Sequence, residues 1–421
     1  MRIHLLNLRR KNCSDSLLIV QVVIMTTIIC TMLGFTASDT SAQGTKRGSG
    51  PPKKAITQSE ADEFGKALIE AVEKGDLEQT SRLVSWKELV DRATNTPDLP
   101  ELKVPREAYI DTITQQQQKP GSMYGMISEG VKTKVNTYRY IRSDIKDKEP
   151  YVLFRLKFLQ NGSLNYHKLY LMRDSDGHLV AGDIYVLTSA ERLSEALHRG
   201  WMQTVNKVIL KNGKNNAKIA AIDAGMKAIV NVVELVKLGK NQEALAEYRK
   251  LPEASRKSKD VLLIRLNAAN NVSNEEYIRA ADDFRKFHPH DPAVDFLMID
   301  GHISRKDFDK AMGCVDRTIA KLGEDSALLG IRANVFVQME KFPEAVQTIK
   351  AAIAAEPDLS DPYLAALDIV VAAKDHDETL DVLTNLKQKF GFQIKDLREV
   401  PIFAEFVKTP QYKKWQDSQT K

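Results

Sequence analysis

The residues best equipped for chemistry lie between Tyr138 and Tyr185. Tyr138, Tyr166, His167, Tyr170, Asp183 and Tyr185 are polar or aromatic and fall in or beside segments of alternating hydrophobicity. If Asp183 and Tyr185 point into a cavity beside Tyr166, a carboxylate and a phenol stand ready to bind or deprotonate a small carbonyl compound. The plainer expectation is that Asp183 ends a strand and the tyrosines fill a half-buried sheet.

Two other clusters have ligand types but the wrong spacing. Asp174-Ser175-Asp176-Gly177-His178 lacks the glutamate that a twelve-residue calcium loop requires, so a hairpin turn is expected. In His288-Pro289-His290-Asp291 the proline breaks the helical spacing that would aim both rings at one metal, and the stretch reads as a turn between helices. No Gly-rich phosphate loop, Gly-x-Ser-x-Gly elbow or His-Glu-x-x-His is present. The chain therefore reads as non-enzymatic, without a cofactor or metal; the alternative is a small-ligand-binding or catalytic pocket around Asp183, with the C-terminal half of the chain as a structural appendage.

The 421 residues are 43% hydrophobic and 28% charged, enough for two or more ordinary cores. Residues 43–421 carry 57 basic and 54 acidic side chains, a balance too even to suggest nucleic acid as a partner.

Residues 1–42 read as a targeting segment. Arg2, Arg9, Arg10 and Lys11 precede an uncharged, largely apolar run, and Thr40-Ser41-Ala42 suits cleavage before Gln43. The competing reading is a membrane anchor through residues 17–35. Either way the remainder is expected to be exported, to the periplasm or beyond, or held outside on an anchor. Cys13 and Cys30 fall within this segment, so Cys314 is left without a disulfide partner and is expected to be a small buried hydrophobe. Residues 43–56, rich in Gly, Pro and Lys, read as a flexible linker.

Residues 57–190 read as an α+β domain. Thr57 and Glu60 form a capping box ahead of a first helix. A second is expected from Leu77 to Val90 and a third from Arg106 to Gln118. After Pro120 the period changes to alternation, which predicts strands over 131–141, 151–160, 164–173 and 179–187. Asn161–Gly162 and Asp176–Gly177 suit tight hairpins between them. This order of elements resembles the cystatin-like, NTF2-like α+β cone. Thr188 and Glu191 are expected to cap a helical connector over 191–224.

From residue 225 to 393 the period becomes fixed. Ala244, Tyr277, Ala311, Ala345 and Thr379 recur every 33 or 34 residues, each opening the second of two amphipathic helices. KFPEAVQTIKAAIAAEP shows the pattern most fully, with small Ala345 where two helices approach and Pro357 ending the second. The stretch resembles five tetratricopeptide repeats, with Tyr277 and Thr379 departing from the Ala the family prefers. Residues 394–421, with Phe403, Phe406, Tyr412 and Trp415, read as a closing helix pair over the last repeat. The two-part layout, notably YHKLYLMRDSDGHLVAGDIYVL and FAEFVKTPQYKKW, is similar to exported bacterial tetratricopeptide proteins with a small N-terminal α+β domain.

The expected fold is thus an α+β domain with a four-stranded antiparallel sheet, followed by an all-α superhelix. The resemblance implies a scaffold that binds a protein or peptide on the concave face made by the first helix of each pair. Carried over position by position, that face comprises Ile229, Val233, Leu262, Leu266, Phe296, Asp300, Gly330, Asn334, Leu364 and Asp368. A basic carboxylate clamp is not expected, because Asp300 and Asp368 have the wrong sign. An apolar segment bearing Lys or Arg fits better.

Overall fold

A computed structural model describes residues 54–94, 106–146, 149–160, 162–211, 217–394 and 396–419. The expected targeting segment, its apolar run and most of the linker lie outside these residues. No described helix is long and apolar enough to cross a membrane. The chain divides into two compact units between Asp291 and Pro292.

The first unit opens with α1 (Gln58–Lys74), started by the expected capping box. Glu60 N–H donates to the Thr57 hydroxyl, and Thr57 N–H donates to the Glu60 carboxylate at 3.0 Å. It stops at Gly75, whose φ of 69° a side chain would resist. The second helix is broken in two, α2 (Leu77–Leu83) and α3 (Trp86–Ala93). Between them Val84 bridges to Ala181, and Ser85 N–H donates to the Ala181 carbonyl at 3.0 Å. Pairing with a strand outcompeted the local helical pattern.

After α4 (Arg106–Gln117) the sequence reading needs correction. Residues Met123–Lys132 form a helix, α5, so the first strand, β1, runs over Asn136–Asp144 and excludes Val131. Ser122 caps α5, and Tyr124 and Ile127 fall three apart on its buried side, a helical signal that the glycines diluted. Strands β2 (Tyr151–Phe158), β3 (Leu164–Arg173), β4 (Leu179–Val186) and a short β5 (Glu191–Arg192) complete an antiparallel meander in chain order. The fifth strand is too short to read from alternation. Glu191 pairs with Val186 in it, and Thr188 lies in a single 3-10 turn, so neither caps the next helix.

A bulge decides which way β4 faces. Tyr170 pairs with Asp183 but Leu171 pairs with Ala181, leaving Gly182 extra. Ala181, Ile184 and Val186 consequently join Phe154, Leu156 and Leu169 in the core under Phe64, Leu68 and Trp86. Asp183 and Tyr185 face the other way.

Helices α6 (Leu193–Lys211), α7 (Ala217–Lys237), α8 (Asn241–Lys250), α9 (Lys259–Asn270) and α10 (Asn274–Phe287) finish the unit, with a one-turn helix at Glu253–Arg256. The second unit contains α11 (Ala293–Ser304), α12 (Phe308–Leu322), α13 (Ser326–Gln338), α14 (Phe342–Ala355), α15 (Ser360–Ala372) and α16 (His376–Gln388), packed as hairpins.

The repeat is legible in the backbone itself. Ala244, Ala311, Ala345 and Thr379 are wholly buried, and Tyr277 nearly so. Lys306, Glu340 and Lys374, 34 residues apart, all adopt left-handed φ values of 56–62° in the turn inside each hairpin. The following N–H closes back onto the carbonyl five residues earlier: Asp307 to His302, Lys341 to Phe336, and Asp375 to Val370. Gly239 makes the same turn after α7, whereas the turn after α9 does not use it.

Beyond α16 the expected helix pair is three 3-10 turns, Leu397–Glu399, Pro401–Phe403 and Phe406–Lys408, followed by helix α17 (Pro410–Gln419). Phe403, Phe406, Tyr412 and Trp415 bury against Leu367, Val370, Leu383 and Leu386. Cys314 is wholly buried on α12.

Candidate functional site

The Asp183 cluster is closed. Its carboxylate has no exposure and accepts the Ser194 hydroxyl at 2.6 Å, the Ser194 N–H at 3.2 Å and the Ile184 N–H at 2.9 Å. Arg192 and Arg92 stand at 3.8 and 3.9 Å. Burial pushes the Asp183 carboxyl up, outweighing the hydrogen bonds from Ser194 and Ile184 and the pull of Arg192. Tyr185 donates to the Asp291 carboxylate, which also pairs with Lys259 at 3.3 Å. Burial, with Asp291 beside it, pushes the Tyr185 phenol well up, so it stays protonated. Tyr166 is buried at 1% exposure.

The pocket reading of these three residues is therefore corrected. Asp183 and Tyr185 share a strand face, but each is committed to partners supplied by the chain. Sequence reasoning missed those partners because they lie far along the chain. Asp291 comes from the turn where His288 engages the Lys257 carbonyl at 2.7 Å. Arg199 joins Glu191, at 2.7 Å, to Asp260, at 3.5 Å, in the same way. What looked like chemistry fastens the sheet to the helices that follow it.

The Asp174 turn is likewise internally satisfied. Asp174 Oδ1 accepts the N–H groups of Asp176 and His178, both at 2.9 Å. Asp174, Asp176 and His178 offer ligand atoms within 4.8 Å of one another, but the backbone turn accounts for their approach.

The expected groove residues divide sharply. Leu262 and Leu266, on α9 in the first unit, are buried at 0% and 5% exposure and offer no surface to a partner. This corrects the carry-over there, since both side chains fill the contact with neighbouring helices. Ile229 and Val233 are half-buried. In the second unit Phe296, Gly330 and Leu364 are half-buried, and Asp300, Asn334 and Asp368 are exposed. These are equivalent positions on α11, α13 and α15, and α13 packs directly against α15. A methyl group added at Gly330 would meet nothing within 4 Å, so this face is open at its middle.

Asp368 stands on that face. It is exposed to water, yet loss of hydration raises its carboxyl above the ordinary aspartate value. It has no ion-pair or hydrogen-bond partner among the described residues.

The architecture is that of an α+β domain followed by TPR-like helical hairpins. No family model matches the chain, and no curated protein matches it. Among solved structures it is similar to residues 41 to the end of MamA from Desulfovibrio magneticus RS-1, with 13% identity and a TM-score of 0.36 over 41% of this chain and 98% of that one. A MamA RS-1 ArsTM double mutant is similar at 12% identity and a TM-score of 0.32, over 38% and 95%. Likeness this distant says nothing about function.

Proposed function

We propose that the second unit is a protein-interaction scaffold. The face made by α11, α13 and α15 receives a peptide or protein segment that is apolar and carries Lys or Arg. The observation that carries this reading is Asp368, a carboxylate exposed to water, partly dehydrated, and unpaired among the described residues. Phe296 supplies a rigid aromatic anchor at the α11 end, and Asp300 a second carboxylate. No catalytic step is assigned. The sequence of residues 1–42 supports export of the scaffold, with cleavage before Gln43 or anchoring through residues 17–35.

Two variants of the full chain test the surface. Phe296→Ala should weaken partner capture by about 2 kcal/mol, roughly thirtyfold. Asp300→Asn combined with Asp368→Asn should mainly flatten the dependence of binding on salt. If the double variant keeps its salt sensitivity and Phe296→Ala only lowers the melting temperature, the face is not the docking surface.

A further inference from the structure

The seam that fastens the sheet to the helices after it has fewer cations than carboxylates. Glu191 on β5 is 6% exposed, and among the described residues the polar contact of its buried Oε2 is Arg199 Nη2 on α6, at 2.7 Å. The same guanidinium serves a carboxylate across the seam, its Nε lying 3.5 Å from Asp260 Oδ2 on α9. Lys259, also on α9, is divided in the same way. Its Nζ lies 3.3 Å from Asp291 and 3.9 Å from Glu195 on α6. Among the described residues, two cations thus hold four carboxylates.

The other charged and titratable groups around the seam are committed elsewhere. Arg192 on β5 pairs with Glu149 at 3.0 Å and approaches Asp183, which Arg92 on α3 flanks from the other side. Tyr185 on β4 donates to Asp291. His198 Nδ1 on α6 engages the Ala93 carbonyl at 2.7 Å, and His288 engages the Lys257 carbonyl. None of these gives Glu191 a second cation.

Ionising a buried carboxyl is costly unless charge and hydrogen bonds compensate it. Arg199 compensates Glu191 only in part, because it is shared with Asp260 and its side chain is 36% exposed. Burial lifts the Glu191 carboxyl above its ordinary value near 4.5 against the pull of Arg199, and Asp260 and Glu195 lift it further. A proton on Glu191 changes the pairing. The neutral carboxyl no longer competes for Arg199, and the guanidinium is left to Asp260, across the seam. With Glu191 ionised, Arg199 is divided between its own side and the far one, and the seam carries excess negative charge.

We infer that the seam between β5–α6 and α9 is a proton-operated clasp: protonation of Glu191 releases Arg199 to Asp260 and closes it, and ionisation loosens it. The closed seam binds the Glu191 proton more tightly than the open one. Closure is therefore favoured below the ordinary glutamate value near 4.5 and weakens as pH rises through the raised value. The inference stands apart from the docking face on α11–α15, and either can fail without the other.

Amide hydrogen exchange of the purified full chain, corrected for the intrinsic pH dependence of exchange, tests it at about pH 4.5 and about pH 7.5. Peptides covering residues 191–199 and 259–268 should exchange at least about threefold faster at the higher pH, relative to strand β2. In Glu191→Gln, which mimics the protonated carboxyl, both should stay protected at either pH. In Asp260→Asn, which removes the partner across the seam, both should exchange fast at either pH. Carboxyl-carbon NMR titration of Glu191 in the parent chain gives a reading that needs no variant, with a midpoint above 4.5 expected. The clasp is overturned if protection in the parent does not depend on pH, or if Glu191→Gln follows pH as the parent does. It is overturned equally if Asp260→Asn keeps the parent's protection, or if Glu191 titrates at or below its ordinary value.

Discussion

Asp183 and Asp368 are both aspartates that surrounding protein dehydrates, and both hold a proton more tightly than a free carboxylate. In every other respect they are opposites. Asp183 is sealed, hydrogen-bonded three times and flanked by two arginines. Asp368 is open to water and unpaired among the described residues. The sealed carboxylate completes the fold, whereas the open one makes no bond to the chain among the described residues. Burial alone therefore does not mark a functional carboxylate. What separates the two aspartates is their partners.

The sharpest way to break this comparison is truncation. Asp183→Ala strands the Ser194 hydroxyl and two guanidinium groups, and should cost about 3 kcal/mol or more in urea unfolding. Asp368→Ala should leave unfolding nearly unchanged. Similar losses from both would show that Asp368 has a structural partner after all.

Next in size is Ala345→Leu, wholly buried at the α13–α14 crossing, which should lose about 1–3 kcal/mol through overpacking. A neutral result would place that position outside the crossing and undo the repeat phase on which the Asp368 surface depends.

The pH dependence is smaller and has a definite sign. A carboxyl whose pKa is raised by folding binds its proton more tightly in the folded chain. Its favourable contribution is present below the ordinary value near 3.8 and is lost as pH rises through the folded pKa. Asp368→Asn should therefore flatten that part of the stability profile, and a bound cationic partner should bring the carboxyl back down. Carboxyl-carbon NMR titration of Asp368 checks both. The smallest effect is Glu340→Gly, which should gain up to about 1 kcal/mol by removing a side chain from a left-handed position.

The parts that could be read from sequence were those governed by local period. The 34-residue recurrence of Ala311, Ala345 and Thr379 located the hairpins, and alternation located β2, β3 and β4. Features set by distant contacts could not be read. The Val84–Ala181 bridge split a helix, and the bulge at Gly182 turned Asp183 outward from the main core. Asp291 then claimed Tyr185 from 106 positions along the chain. Residue type identified Tyr138 and His167 as notable, but only the cross-strand pairing connected them. On the second unit, repeat spacing put Gly330, Asn334, Leu364 and Asp368 at half-buried or exposed positions. It failed at Leu262 and Leu266, which have neighbours that cover them.

The face around Gly330 and Asp368 is the docking surface proposed for the second unit. Gly330→Phe in the full chain tests it most directly, because the added ring enters space where nothing lies within 4 Å of the new Cβ. Affinity capture from the envelope fraction of the producing cells, alongside thermal unfolding, reads both consequences. Captured partners should be lost while the melting temperature stays within about a degree of the parent. Unchanged capture by a stably folded Gly330→Phe chain would contradict it.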